Sequence, residues 1–266
     1  MPTPGAVPLT IVDSFTDVAF AGNPAGVCRL DRWPADERLQ QVAAEVNLAE
    51  TAFVVARDEP DQFDLRWFTP TVEVDLCGHA TLATAHVLAR PGTVTFHTRS
   101  RQLHCTAAGG AVEMDFPAIA STPVPLDPSL VEALGSQVRT TAAGSFLLAE
   151  LADATAVREL QPDFTALRAV HPHGVIVTAA GDPAGSADIV SRVFGPNLGI
   201  DEDPVTGAAH CQLGPWWAAR LGRDTIVAEQ ASHRGGRLTV RVAGDRVVLS
   251  GHAVTVIDGH LLAALD

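Results

Sequence analysis

The stretch LRWFTPTVEVDLCGHATLATAHVL, Leu65–Leu88, changes its periodicity halfway along. Phe63-Asp64-Leu65-Arg66-Trp67 alternates apolar and polar residues as a half-buried strand does, and Phe68-Thr69-Pro70 ends that run. A loop follows, and then Gly78 opens a helix expected to reach about Ala89. Ala80, Leu82, Ala83, Ala85, Val87 and Leu88 cover much of its circumference, which predicts a core helix wrapped by sheet. Strands are expected next at Val94–His97, Leu103–Ala107 and Ala111–Phe116, with Gly109-Gly110 turning the last two into a hairpin.

Upstream, Ile11, Phe15 and Phe20 form an apolar segment broken by the turn residues Gly22-Asn23-Pro24. Asp36 is expected to cap a helix whose apolar face is Leu39, Val42, Ala43 and Val46. A strand, Thr51–Ala56, follows at once, so Glu50 falls at a helix-to-strand junction.

Downstream the order recurs. Ile189–Phe194 leads to Gly195-Pro196, a longer loop, Gly207 and a second Ala-rich helix, and then Leu238–Val242 and Val247–Leu249 flank the turn Gly244-Asp245. Aligning Phe68 and Pro70 with Phe194 and Pro196 sets Cys77-Gly78-His79-Ala80 against Thr206-Gly207-Ala208-Ala209, with three extra residues in the second loop. This reads as a duplicated lobe. Pro215 is expected to kink or restart the second helix before Trp216-Trp217. The Pro-rich run Ser121–Pro128 places the domain boundary near Phe116-Pro117, giving an N-terminal lobe of residues 1–117 and a C-terminal lobe of 118–266 whose final segment could cross back. Residues 129 to 180 read as mixed helix and strand without a chemical signature.

Composition narrows the function. The net charge is −13, from 18 basic and 31 acidic residues, which disfavours nucleic acid or an anionic membrane as partner. All the basic residues are Arg, so Schiff-base chemistry and a lysine-bound pyridoxal cofactor are excluded. With no apolar run long enough to span a bilayer and no leader-like start, the expected compartment is the cytoplasm. Cys28, Cys77, Cys105 and Cys211 form no C-x-x-C pair, so reduced thiols are expected, with no metal and no nucleotide cofactor.

Gly78 and Gly207 each open a helix, whose first N–H groups form a ready anion site. In a two-lobed protein, two such ends could hold a carboxylate without lysine. Around them lie Asp75, Cys77 and His79, and Asp201, Glu202 and Asp203. Three consecutive acids commonly form a solvated loop, and His79 could equally be a core histidine bonded to a carbonyl. Glu50 precedes the apolar run Ala52-Phe53-Val54-Val55, and a carboxylate against apolar surface can serve first as base and then as acid.

VDSFTDVAFAGNPAGV (Val12–Val27), NLAETAFV (Asn47–Val54), Leu65–Leu88, FGPNLGIDEDPVTGAAH (Phe194–His210) and RGGRLTVRV (Arg234–Val242) together resemble the PhzF-like family, named for an isomerase of phenazine biosynthesis. The resemblance implies an α+β fold like that of diaminopimelate epimerase, with two pseudo-symmetric lobes, each a curved, mostly antiparallel sheet or barrel around a central helix. It implies a site between the lobes in which Glu50 removes a proton from carbon and returns one elsewhere. His79 and Asp203 are similar to residues that hold and polarise the substrate, while Asn23, Cys77, Gly78, Thr206, Gly207 and Ala208 complete the substrate-binding set. It further implies a small anionic metabolite as substrate and a homodimer as the assembly. Two departures stand out: Ala208 replaces the family's serine and Ala49 replaces the serine of N-L-S-E-T.

Two other readings compete with a shift of the dihydro-hydroxyanthranilate type. Two-thiol epimerisation finds Cys77 at one position but Thr206 at the other, whose hydroxyl is too weak a base. A racemase would have to recruit a second base. A non-catalytic binder would have little use for Glu50, a carboxylate that repels an anionic ligand.

Overall fold

The computed structural model describes residues 6–263 and 265. By its internal contacts the chain divides into one unit running to Asp115 and resumed from Ser250, and a second unit, Phe116–Leu249.

In the first unit, β1 (Val7–Ser14) lies between β18 (Ala253–Leu261) and β2 (Asn23–Leu30), antiparallel to both. Helix α1 (Asp36–Val46) carries the chain from β2 to β3 (Glu50–Ala56), which runs parallel to β2 because such a crossover reverses the chain twice. β4 (Gln62–Phe68) is antiparallel to β3 and receives the short β5 (Glu73–Val74). Helix α2 (Gly78–Leu88) then leads to β6 (Thr93–His97), parallel to β4, and to the antiparallel β7 (Gln102–Ala108) and β8 (Ala111–Pro117). Gly109 and Gly110, with φ of 58° and 85°, make the turn between the last two, where an L side chain would be strained.

The second unit repeats this plan. β9 (Thr122–Val124), followed by α3 (Pro128–Leu134), is antiparallel to β10 (Thr140–Ala143), as β18 is to β1. β10 pairs antiparallel with β11 (Leu147–Glu150). The crossover α4 (Ala154–Arg158) and α5 (Phe164–Val170) makes β12 (Val175–Ala180) parallel to β11. β13 (Ile189–Gly195) is antiparallel to β12 and receives the short β14 (Ile200–Asp203). Helix α6 (Gly207–Leu221) then precedes β15 (Thr225–Gln230), parallel to β13, followed by antiparallel β16 (Gly236–Ala243) and β17 (Arg246–Gly251). The sequence of pairings in the two units is the same, so the duplication inferred from short matches extends through residues 118 to 180, where no match was visible.

The central helices are buried as their composition requires. α2 is covered from His79 through Thr84 and packs on β1, β2, β3, β7 and β18. α6 runs as one helix through Pro215, so the helix does not restart there. Proline leaves the carbonyl four residues back without its helical donor, and here Ile119 N–H supplies one to the Cys211 carbonyl at 3.0 Å. Asp36 is the first residue of α1 and not its cap. Ala35 holds the cap position without a side-chain bond, and the Asp36 carboxylate turns instead to Arg66 at 2.8 Å.

Each unit also carries one well-buried ion pair at the same place in the plan. Arg66 on β4 binds both oxygens of Glu73 on β5 at 2.7 and 2.8 Å, and Arg192 on β13 binds both oxygens of Glu202 on β14 at 2.7 and 2.9 Å. Each guanidinium lies over the phenylalanine two residues on, Phe68 at 5.1 Å and Phe194 at 5.0 Å. These forks fix the short strands that deliver the chain to α2 and α6.

Candidate active site

In the first unit Glu50, Cys77 and His79 come together. Glu50 is the first residue of β3 and its partner across the parallel pair is Ala25, two residues beyond Asn23 at the start of β2. Asn23 pairs with Ser14 of β1, and the Ser14 hydroxyl donates to the His79 carbonyl at 2.8 Å, tying the first turn of α2 to the sheet. Cys77 is the N-cap of α2 with extended backbone, and its carbonyl accepts the Thr81 hydroxyl at 2.6 Å.

The Glu50 Oε2 atom lies 3.3 Å from His79 Nε2, and Cys77 Sγ lies 3.5 Å from His79 Nδ1. Burial pushes the His79 pKa down to about 4, so the ring is neutral near pH 7. A neutral imidazole carries one proton, and a carboxylate can only accept. The arrangement therefore places the proton on Nε2, directed to Glu50, and leaves Nδ1 to accept the Cys77 S–H. Glu50 keeps about a fifth of its side chain exposed, with 19% accessibility against 7% for His79. A group meant to meet a substrate needs that access.

In the second unit Asp203 ends β14, and its carboxylate accepts the Thr206 hydroxyl at 2.6 Å. Gln230 braces the same loop, donating to the Asp203 carbonyl at 2.7 Å and accepting from Thr206 N–H at 2.8 Å. Among the described residues no side chain caps α2 or α6, which keeps the N–H groups beginning at Gly78 and Gly207 available to an anion. Ala208, second in α6, is exposed. Of its acidic neighbours, Glu202 is taken up by Arg192 and Asp201 is exposed.

His210 was not singled out in the sequence. It is fully buried, its Nδ1 lies 2.8 Å from the Thr206 carbonyl, and burial lowers its pKa to about 4. Gln230 and Ser14 were also missed, since neither residue type nor spacing marks a brace that joins distant strands. The two Arg–Glu forks did leave a signal: Arg66-Trp67-Phe68 and Arg192-Val193-Phe194 precede Glu73 and Glu202 with the same three-residue difference in loop length.

The chain matches the sequence profile of the phenazine biosynthesis-like proteins, PhzC-PhzF, over residues 12–259. It is 49% identical over 256 residues to an uncharacterized isomerase of Pseudomonas aeruginosa, an alignment covering 94% of this chain and 96% of that one. The crystal structure of a PhzF-family phenazine biosynthesis protein from Enterococcus faecalis superposes with a TM-score of 0.92 at 43% identity, covering 96% of this chain and 99% of that one. A hydroxyproline epimerase from Agrobacterium vitis shares the fold alone, with a TM-score of 0.60 at 12% identity over 98% of this chain and 94% of that one.

Proposed function

The chain belongs to the phenazine biosynthesis-like, PhzC-PhzF family, and we propose that it is an isomerase that shifts a proton on a small carboxylate-bearing metabolite, with Glu50 as the acid/base group and no cofactor. The observation that carries this reading is the Glu50 carboxylate held 3.3 Å from a buried, neutral His79 at the start of α2. Glu50 takes a proton from one carbon and, as the acid so formed, returns one to another position of the substrate. His79, whose Nε2–H is directed to Glu50, orients the carboxylate. In the first unit the backbone N–H groups at Gly78 bind the substrate's own carboxylate, with Asn23 and Cys77 contacting the remainder.

The test is deuterium incorporation from heavy water, followed by NMR across a panel of unsaturated and cyclic carboxylates. The wild-type protein is expected to label its substrate, and Glu50→Gln should lower the labelling rate by about 10²–10⁴-fold with ligand affinity little changed, because glutamine keeps size and hydrogen-bonding reach but cannot take a proton from carbon. Undiminished exchange by Glu50→Gln would refute the assignment. Light scattering checks the expected homodimer, and a cytoplasmic location is part of the same reading.

A further inference from the structure

The hairpin between β1 and β2 is longer than its counterpart between β10 and β11, and the added part lies in the copy that holds Glu50. Thr51 and Val175 correspond through their partners Phe68 and Phe194, so Gly26, beside Thr51, corresponds to Leu147, beside Val175. Gly26 pairs with Ile11 and Leu147 pairs with Ala143. Residues 12–25 join the first pair, whereas residues 144–146 suffice for the second. The extension supplies Asn23 and also Ser14, whose hydroxyl bonds the His79 carbonyl. Its tip exposes two apolar side chains, Val18 at 62% and Phe20 at 75%. We propose that Phe20 is a specificity-determining residue of the active site, an apolar wall on which the carbon skeleton of the substrate packs while its carboxylate is held at the start of α2. This role rests on the reading of Glu50 given above.

The strands put the tip at the site. β2 and β3 run parallel and start at Asn23 and Glu50, so both residues and the tip between Ser14 and Asn23 lie at the same end of the sheet. Phe20 stands three residues before Asn23, a reach of at most about 11 Å.

The tip is also tightly held. Phe15 is fully buried and its N–H donates to the His252 carbonyl at 2.8 Å, while the Thr16 hydroxyl accepts Val18 N–H at 3.0 Å. Gly22, at φ 66°, brings the returning chain so close to Ser14 that a Cβ would stand 2.2 Å from the Ser14 carbonyl oxygen. Phe20 itself has φ 70°, a conformation that a bulky L residue rarely takes, and its N–H is pinned at 2.7 Å by the carboxylate of the buried Asp13. The fold thus holds an aromatic ring in a strained backbone while leaving it in solvent, where it adds nothing to the core. Strain of this kind collects at ligand clamps. The ring offers hydrocarbon alone, so it selects for an apolar face on the ligand and leaves the carboxylate to the N–H groups of α2.

Benzoate and acetate are the probes, the same carboxylate with and without an apolar face, titrated into the full-length protein by calorimetry and NMR. Wild type is expected to bind benzoate at least about tenfold more tightly than acetate, the scale of burying an apolar side chain, and to shift the benzoate resonances by the ring current of Phe20. Phe20→Ala should lose about tenfold or more of the benzoate affinity and leave acetate within about twofold. Phe20→Leu should recover part of the affinity without the ring-current shift, and it decides the matter should Phe20→Ala fail to fold. Equal affinity of wild type for the two probes, unchanged benzoate affinity in Phe20→Ala, a parallel loss for acetate, or a shift that persists in Phe20→Leu would overturn the wall. So would a change of oligomeric state in Phe20→Ala with benzoate affinity intact, which makes Phe20 a subunit contact. Deuterium exchange separates the two readings. Glu50-dependent exchange with unchanged benzoate affinity in Phe20→Ala removes the wall alone, whereas a Phe20-dependent preference for benzoate without Glu50-dependent exchange removes the acid/base reading alone.

Discussion

Lowering the pH from 7 to 5 should cost this protein about 4 kcal/mol of stability through two buried histidines. His79 and His210 titrate near 6.5 when unfolded and are pushed down to about 4 by burial in the folded chain. His210 is held neutral by its bonding too: the Thr206 carbonyl can only accept, so Nδ1 carries the proton, and Nε2 is buried with no hydrogen-bond partner among the described residues. Between pH 4 and 6.5 the unfolded chain binds more protons than the folded one, so stability rises with pH across that window. The stability is fully present above 6.5 and is lost as the pH falls toward 4. Applying the linkage relation to a shift from 6.5 to about 4 gives roughly 2 kcal/mol per histidine between pH 7 and 5. Carboxyls held below their ordinary range by hydrogen-bonded partners, Asp36 and Glu73 by Arg66 and Asp127 by Ser129, start from 3.8 or 4.5 and contribute below this interval. Urea denaturation at pH 7, 6 and 5, with chelator present, measures the loss, and NMR of the imidazole C–H resonances assigns it. Constant stability from pH 7 to 5, or a His210 titration near 6.5 in the folded protein, would refute the reasoning.

Asp203→Asn should weaken ligand binding as well as turnover, since the carboxylate that accepts the Thr206 hydroxyl also shapes the entry to α6; calorimetric affinity equal to wild type would exclude that role. Cys77→Ala is expected to retain measurable deuterium exchange, and an inactive Cys77→Ala beside an active Glu50→Gln would replace the carboxylate mechanism with a thiol-based racemase. Gly251→Ala should destabilise the fold by about 1–3 kcal/mol, the usual cost of overpacking, because a Cβ there meets Phe15 Cδ1 at 2.6 Å and Leu82 Cδ1 at 3.0 Å inside the core. A melting temperature within a degree of wild type would contradict it.

Periodicity was enough to find β4, β6, β7 and β8, because each is half buried and alternates, as Gln62–Phe68 does. It was also enough for α2 itself, which has no polar face. It failed over residues 129 to 180 for a physical reason. β12 is buried along nearly its whole length and so shows no alternation, and α3 to α5 are short helices whose starts rest on the caps Asp127, Asp153 and Asp163. The meeting of Glu50 with His79 depends on the parallel pairing of β2 with β3 and on the Ser14 bond to α2, which are contacts between distant segments. Motif resemblance could name these residues, but local sequence could not place them together. Pro215 misled because the donor that compensates it, Ile119 N–H, lies far away in the chain.

The two copies of the plan differ where chemistry would be done and agree where support is needed. Thr81 in α2 and His210 in α6 hold corresponding places, and each bonds the carbonyl four residues back, at 2.6 and 2.8 Å. The Arg–Glu forks correspond as well. Cys77 and His79, however, answer to Thr206 and Ala208. Register locates the counterpart of Glu50: Thr51 pairs with Phe68, Val175 pairs with Phe194, and so the residue before each, Glu50 or Gly174, occupies the same position. Gly174 has φ 96°, and a Cβ there would lie 2.4 Å from the Phe194 carbonyl oxygen. The backbone of the second copy thus has no room for a side chain, let alone a base, at that point. Inversion of a carbon through two opposed bases needs a proton acceptor from each side, whereas a shift that takes and returns a proton through one carboxylate needs a base in one copy only. The distribution of residues between the two copies favours the second reaction.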